Sequence, residues 1–108
     1  MFCVRETHSE KEEAKNELVA ISTTENIQIV LCKGRDFYSS PRINPINKEI
    51  CWLEWDHPNM PWDGTELFIG NFDSNGLSEK KFIDGSKNIS IIQPEWSESG
   101  ELIYISDE

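Results

Sequence analysis

The sequence predicts an all-β chain, a partial β-propeller of about two four-stranded antiparallel blades. Three observations lead there. Apolar residues come in short runs rich in β-branched and aromatic side chains, with no sustained helical period. Explicit turn chemistry separates the runs: "TTEN", "NPINKE", "DSNG", "DGSKN" and "SESG". Several runs are also apolar on both faces. In "ELIYIS" (101–106), Leu102 and Tyr104 point one way while Ile103 and Ile105 point the other. In "ICWLEW" (50–55), Ile50 and Trp52 oppose Cys51, Leu53 and Trp55. A sheet with one wet face alternates apolar and polar residues, so these sheets are expected to be covered front and back. A sandwich covers one face of each sheet, whereas a radial stack of small sheets covers both.

The elements follow in order. Naming strands a to d from axis to rim, "FCVRE" (2–6), "ELVAIS" (17–22) and "IQIVLC" (27–32) are b, c and d of an incomplete blade over 1–33. "SEKEEAK" (9–15) is helix-friendly, but the apolar residues after it bunch together, so it reads as a solvated loop. A full blade spans 34–84, with "SSPRI" (a), "ICWLEW" (b), "ELFIGNF" (c) and "KKFI" (d). The span 85–108 begins another, with "ISIIQPEW" (a) and "ELIYIS" (b). "DSNG" reads as a hairpin turn, since it lacks the later ligands of a calcium loop.

Length and charge narrow the function. With 108 residues the chain is one ordinary domain at most. Twenty acids against ten bases give a net charge of −10, which disfavours nucleic acid and anionic membrane surfaces as partners. Cys3, Cys32 and Cys51 are an odd number, lie in apolar runs and lack CxxC spacing. They read as small hydrophobes in a reducing compartment rather than a disulfide framework or zinc site. The first residues turn polar within five positions and no apolar run reaches membrane length, so a cytoplasmic protein is expected. Asn88-Ile89-Ser90 then reads as a chance glycosylation triplet.

Successive loops of an up-and-down sheet fall on alternate ends. Loops 34–40, 56–64 and 84–89 therefore share one face, and 22–26, 44–49, 73–79 and 97–100 the other. The unusual chemistry gathers on the first: Arg35, Asp36, Phe37, Tyr38, Asp56, His57, Trp62 and Asp63. These are the candidate residues for contacting a peptide or another domain. Within "WLEWDHPNMPWDGTEL" (52–67), Trp52 and Trp55 lie on the strand and are expected in the core. Pro58, Pro61 and Asp63-Gly64 also suit a loop that is simply rigid. For Trp62, packing is favoured over ligand contact. Asp56 beside His57 invites a catalytic dyad, but no nucleophile accompanies it, so a structural hydrogen bond is expected. His8 and His57 with scattered carboxylates make a weak metal set. No cofactor is expected.

An internal echo supports the blade reading. "SPRINPINKEICWLEWD" and "QPEWSESGELIYISDE" align Pro41 with Pro94, Ile43 with Trp96 and Asn44 with Ser97, about fifty residues apart. "GRDFYSSPRINP", "WLEWDHPNMPWDGTEL" and "QPEWSESGELIYISD" resemble the β-propeller of the prolyl oligopeptidase (S9) serine peptidases. The branch is the dipeptidyl aminopeptidase or acylaminoacyl-peptidase-like one, and the proline–turn–strand pattern alone also fits other TolB-like or WD40-like propellers. Family members carry Ser-Pro-Asp-Gly at the turn before the second strand of a blade, where this chain has "NPIN" and "SESG". The family's serine nucleophile sits in a GxSxG elbow of an α/β-hydrolase domain, and no GxSxG occurs here.

The resemblance thus implies a non-catalytic propeller portion that gates or selects peptide substrates, with no peptidase activity by itself. Its implied partners are a peptide substrate or the α/β-hydrolase domain of a longer protein. The alternative is a stand-alone propeller-type module that binds proteins or peptides. Unpaired strand edges and uncovered apolar faces predict a marginal, aggregation-prone or oligomeric chain, self-associating through open sheet edges.

Overall fold

The computed structural model describes residues 2–9, 12–22, 27–73 and 76–107, with side chains 6–9, 12–15, 22 and 27 outside the description. Nine strands and no helix occur among the described residues. β1 (Phe2–Ser9), β2 (Glu12–Ser22) and β3 (Ile27–Cys32) form one antiparallel sheet. β4 (Phe37–Ile43), β5 (Glu49–Trp55), β6 (Glu66–Asp73) and β7 (Gly76–Gly85) form a second, in chain order. β8 (Ile91–Trp96) and β9 (Leu102–Ser106) pair as a third.

The middle sheet is covered on both sides. Ile50 and Trp52 enter a cluster with Leu18, Cys32 and Tyr38, which joins the first sheet to the second. Cys51, Leu53 and Trp55 enter another with Leu67 and Ile91, which joins the second to the third. β5 is therefore buried along six of its seven residues. Burial of each large side chain there stabilises by about 1.5–3 kcal/mol. The doubly apolar strand in the sequence is a strand between two neighbouring sheets.

The internal echo is geometric. Pairing of β4 with β5 shifts register between Ser39 and Arg42, and pairing of β8 with β9 shifts between Ile92 and Glu95. Each shift holds a proline, whose ring supplies no ladder donor. The residue before each proline is left-handed, Ser40 at φ 55° and Gln93 at φ 51°. The turns that follow close alike, the Asn44 N–H donating to Glu49 O and the Ser97 N–H to Glu101 O, both at 2.8 Å.

Two expectations need correction. The "SEKEEAK" stretch is not a loop: the ladder continues through Thr7↔Lys15 and Ser9↔Glu12, leaving only residues 10 and 11 outside the described set. A strand pair is held by backbone donors and acceptors, so polar side chains do not end it. Phe37 and Tyr38 likewise belong to β4 and not to the preceding loop, opposite Trp55 and Glu54. "DSNG" does turn the chain, with Asp73 paired to Gly76 and residues 74 and 75 outside the description, as is the "TTEN" turn.

Candidate functional site

One end of the sheets gathers the loops that the sequence assigned to a common face. Arg35 from the first loop, Asp56, His57, Pro58, Asn59 and Gly64 from the second, and Ser86 and Lys87 from the third line a cleft of about 350 Å³. Trp55, Thr65 and Glu66 at the strand ends complete its wall. Two glycines permit the convergence. A Cβ on Gly64 would collide with the backbone of Ser86 and Lys87, and one on Gly85 (φ 106°) with the carbonyl of Thr65. Only glycine lets the two backbones approach so closely.

Arg35 organises the wall. Its Nε donates to Asp56 Oδ2 at 2.7 Å, Nη1 to Glu54 Oε1 at 2.8 Å, and Nη2 to Glu66 Oε1 at 3.3 Å. Burial lowers its pKa, but the hydrogen bond and charge of Glu66, then the charges of Glu54 and Asp56, outweigh that and hold it above its usual value. Beneath it, Glu54 is buried to 1% exposure yet also accepts from Trp52 Nε1 at 3.0 Å and Lys80 Nζ at 3.0 and 3.1 Å. Lys80 lies over the Phe68 ring, 4.4 Å from its centroid. A buried carboxylate is tolerable only with such partners.

The loops are tied by reciprocal bonds. The Asp36 N–H donates to Asp56 Oδ1 at 2.9 Å, and the His57 N–H donates to Asp36 Oδ2 at 2.8 Å. Both Asp56 oxygens are therefore engaged by Arg35 and Asp36, and the expected Asp56–His57 hydrogen bond is replaced by a backbone bond from His57 to Asp36. The His57–Pro58 peptide is cis. Asn59 Nδ2 donates to Lys87 O at 2.9 Å, and Asp63 Oδ2 accepts from the Met60 N–H at 2.9 Å. Behind the cleft, Thr65 Oγ1 donates to Ile91 O and accepts from the Ile91 N–H, at 3.0 and 2.8 Å.

The eight predicted site residues thus divide. Arg35, Asp56 and His57 line the cleft, and Asp36 and Asp63 hold its loops. Phe37 stacks on Trp55 with centroids 5.5 Å apart. Tyr38 is buried, accepts from the Arg35 N–H at 3.1 Å, and has its phenol pushed up to about 12 by burial. Trp62 is 69% exposed, contrary to the packing expected of it. The turn closes through its own backbone, Asp63 N–H to Met60 O at 2.9 Å, and needs no indole to hold it. Sequence reasoning missed Glu54, Glu66 and Lys87. Glu54 carried a signal, since an acid inside an apolar strand calls for cationic partners. Among the described residues no group of three His, Cys, Asp or Glu is placed for a metal ion, and the His8 side chain lies outside them.

No protein-family model and no curated protein matches the chain. Solved structures do. A puromycin-hydrolyzing peptidase of Mycobacterium tuberculosis aligns with TM-score 0.85 at 28% identity, over 98% of this chain and 18% of that one. A puromycin hydrolase aligns with TM-score 0.73 at 29% identity, over 87% of this chain and 15% of its own. Its serine-to-alanine mutant, complexed with PGG, aligns over the same shares with TM-score 0.75. The chain spans less than a fifth of the length of these proteins. Its stacked antiparallel sheets are similar to the β-propeller region of the prolyl oligopeptidase (S9) serine peptidases.

Proposed function

We propose that this chain is a non-catalytic propeller portion of an S9-type peptidase, and that its cleft end contacts the peptide substrate or the neighbouring hydrolase domain. Residues 1–33, 34–84 and 85–108 are the successive blade segments in this reading, and the protein works in the cytoplasm. The observation that supports it best is the convergence of three loops on one cleft, with both charge signs and an amide in its wall. Carboxylates at Asp56 and Glu66, cations at Arg35 and Lys87, and the Asn59 amide offer donors and acceptors along a short path. That set suits an extended peptide, whose backbone and termini present the same groups. In this role the chain filters access and leaves bond cleavage to a domain that carries a nucleophile.

The test is amide chemical-shift mapping with a mixed tripeptide pool, alongside an assay with an aminoacyl chromogenic substrate. Perturbations confined to 34–40, 56–64 and 84–89, with no turnover, are expected. Perturbations at 44–49 and 97–100 instead, or turnover by the purified chain, would overturn the reading.

A further inference from the structure

β7, the last strand of the second sheet, is longer than β6 over part of their pairing. Ile69 pairs with Lys81 and Asn71 with Ser78, so three steps along β7 match two along β6. Within that bulge Glu79 is left-handed at φ 54° without being glycine, and its carboxylate accepts from Asn71 Nδ2 at 2.5 Å. A bulge of this kind re-aims the side chains beside it.

The side chain so aimed is Lys80. It stands on the face of Phe82 and Phe68, its ammonium over the Phe68 ring, while Lys81 takes the opposite face with Ile69. Lys80 Nζ straddles the Glu54 carboxylate, 3.0 Å from Oε1 and 3.1 Å from Oε2. The Lys80 side chain is 43% exposed and that of Glu54 only 1%. A charge reached by water thus neutralises one in the sheet interior.

Glu54, Asp56 and Glu66 all share Arg35. The bonds are unequal: 2.7 Å to Asp56 and 2.8 Å to Glu54, but 3.3 and 3.5 Å to Glu66. With Lys80 on Glu54, Arg35 can divide its donors among three acids. Without Lys80, the buried Glu54 keeps one cation and has the strongest demand for it, because an uncompensated buried charge is far costlier than an exposed one. The long bonds to Glu66 are the first to be given up.

We propose that Lys80 is a positioning residue of the cleft. Acting through Glu54, it leaves Arg35 free to pair with Glu66, and so sets the charge that the cleft wall presents. Among the described residues Lys80 forms no ion pair with Glu66 itself, so the effect passes through Glu54 and Arg35. Its bearing on peptide contact rests on the cleft being the working end.

NMR of the whole chain without peptide tests the relay, so that a failure to bind peptide leaves the outcome untouched. Lys80→Met should shift the Arg35 Nε–H and Glu66 Cδ resonances while the amides of β8 and β9 stay in place. Lys80→Arg should restore both resonances, a rescue that a loss of packing alone would not show. Lys81→Met, on the opposite face of the same strand, should move neither. Should Lys80→Met misfold, Lys80→Gln, which removes the charge and keeps a donor, reads the same two resonances. Arg35 and Glu66 resonances unmoved by loss of the Lys80 charge, or moved as far by loss of Lys81, overturn the proposal.

Discussion

The Glu54 carboxylate, buried in the middle sheet, accepts a hydrogen bond from Arg35 Nη1 at 2.8 Å and so joins the core to the cleft wall. Arg35 is shared with Asp56 and Glu66, both of which line the cleft. Core and cleft are therefore one electrostatic unit. Removing Glu54 leaves Arg35, Lys80 and the Trp52 indole N–H without their common acceptor. Glu54→Ala is expected to cost about 2–4 kcal/mol in urea denaturation, and Asp56→Ala under about 1 kcal/mol, because Asp56 is half exposed. Equal costs for the two would show that the burial of Glu54 is not what matters.

Gly64 is a point of close backbone approach between the second and third loops of the cleft end. Gly64→Ala forces the 84–89 backbone away from it and is expected to destabilise by about 2 kcal/mol or more. Gly34→Ala is the comparison. No neighbour crowds that position, and only its φ of 103° opposes a side chain, so a smaller loss is expected. Thermal unfolding of the two variants side by side gives the answer.

Ser40 and Gln93 hold left-handed backbone without being glycine. Replacing either with glycine relieves a conformational cost of about 1 kcal/mol, offset in part by the freedom glycine gains when unfolded. A change in stability between zero and about +1 kcal/mol is expected for each in denaturant titration. A clear loss at either position would mean that its side chain contributes more than its backbone costs.

Cys32 and Cys51 are buried, and burial pushes their thiols up from 9.0 to about 11 and about 12. Tyr38 is raised by burial from 10.0 to about 12. All three hold their protons more tightly when folded than when unfolded. The stability they contribute is complete below about pH 9 and is lost as pH rises through 11–12. Urea midpoints should accordingly fall from pH 9 upward. At pH 8 in native buffer, a thiol reagent should modify Cys3 well before Cys32 or Cys51, since Cys3 is the least buried of the three. Equal rates for all three would contradict this packing.

Trp62 contrasts with the other loop residues. Its indole is mostly in water, so Trp62→Ala should change stability by no more than about 0.5 kcal/mol. Trp52→Ala, in the fully buried position, should cost about 3–5 kcal/mol. Emission spectra of the two variants check the assignment: loss of Trp62 removes the red-shifted component, and loss of Trp52 a blue-shifted one.

The amino-acid sequence by itself determined the all-β class, most of the strands and the gathering of the 34–40, 56–64 and 84–89 loops at one end, but not the run of β1 and β2 through 9–15 or the starts of β4 and β7. Those follow from local patterns, a two-residue period and turn residues, and from the alternation of loops in a meander. "ICWLEW" showed that its sheet is covered on both sides, because apolar residues facing opposite ways each need a neighbour. The tertiary structure alone decided which side chains meet. Arg35 and Glu66 are far apart in sequence, and their contact depends on β4 and β6 both flanking β5, which brings the residues just before β4 and at the start of β6 to one end of the sheet. The same holds for Trp62, for which the sequence favoured packing over ligand contact and which is mostly exposed. The backbone closes that turn without it, and whether an indole then finds a neighbour depends on distant parts of the chain that no short segment can specify.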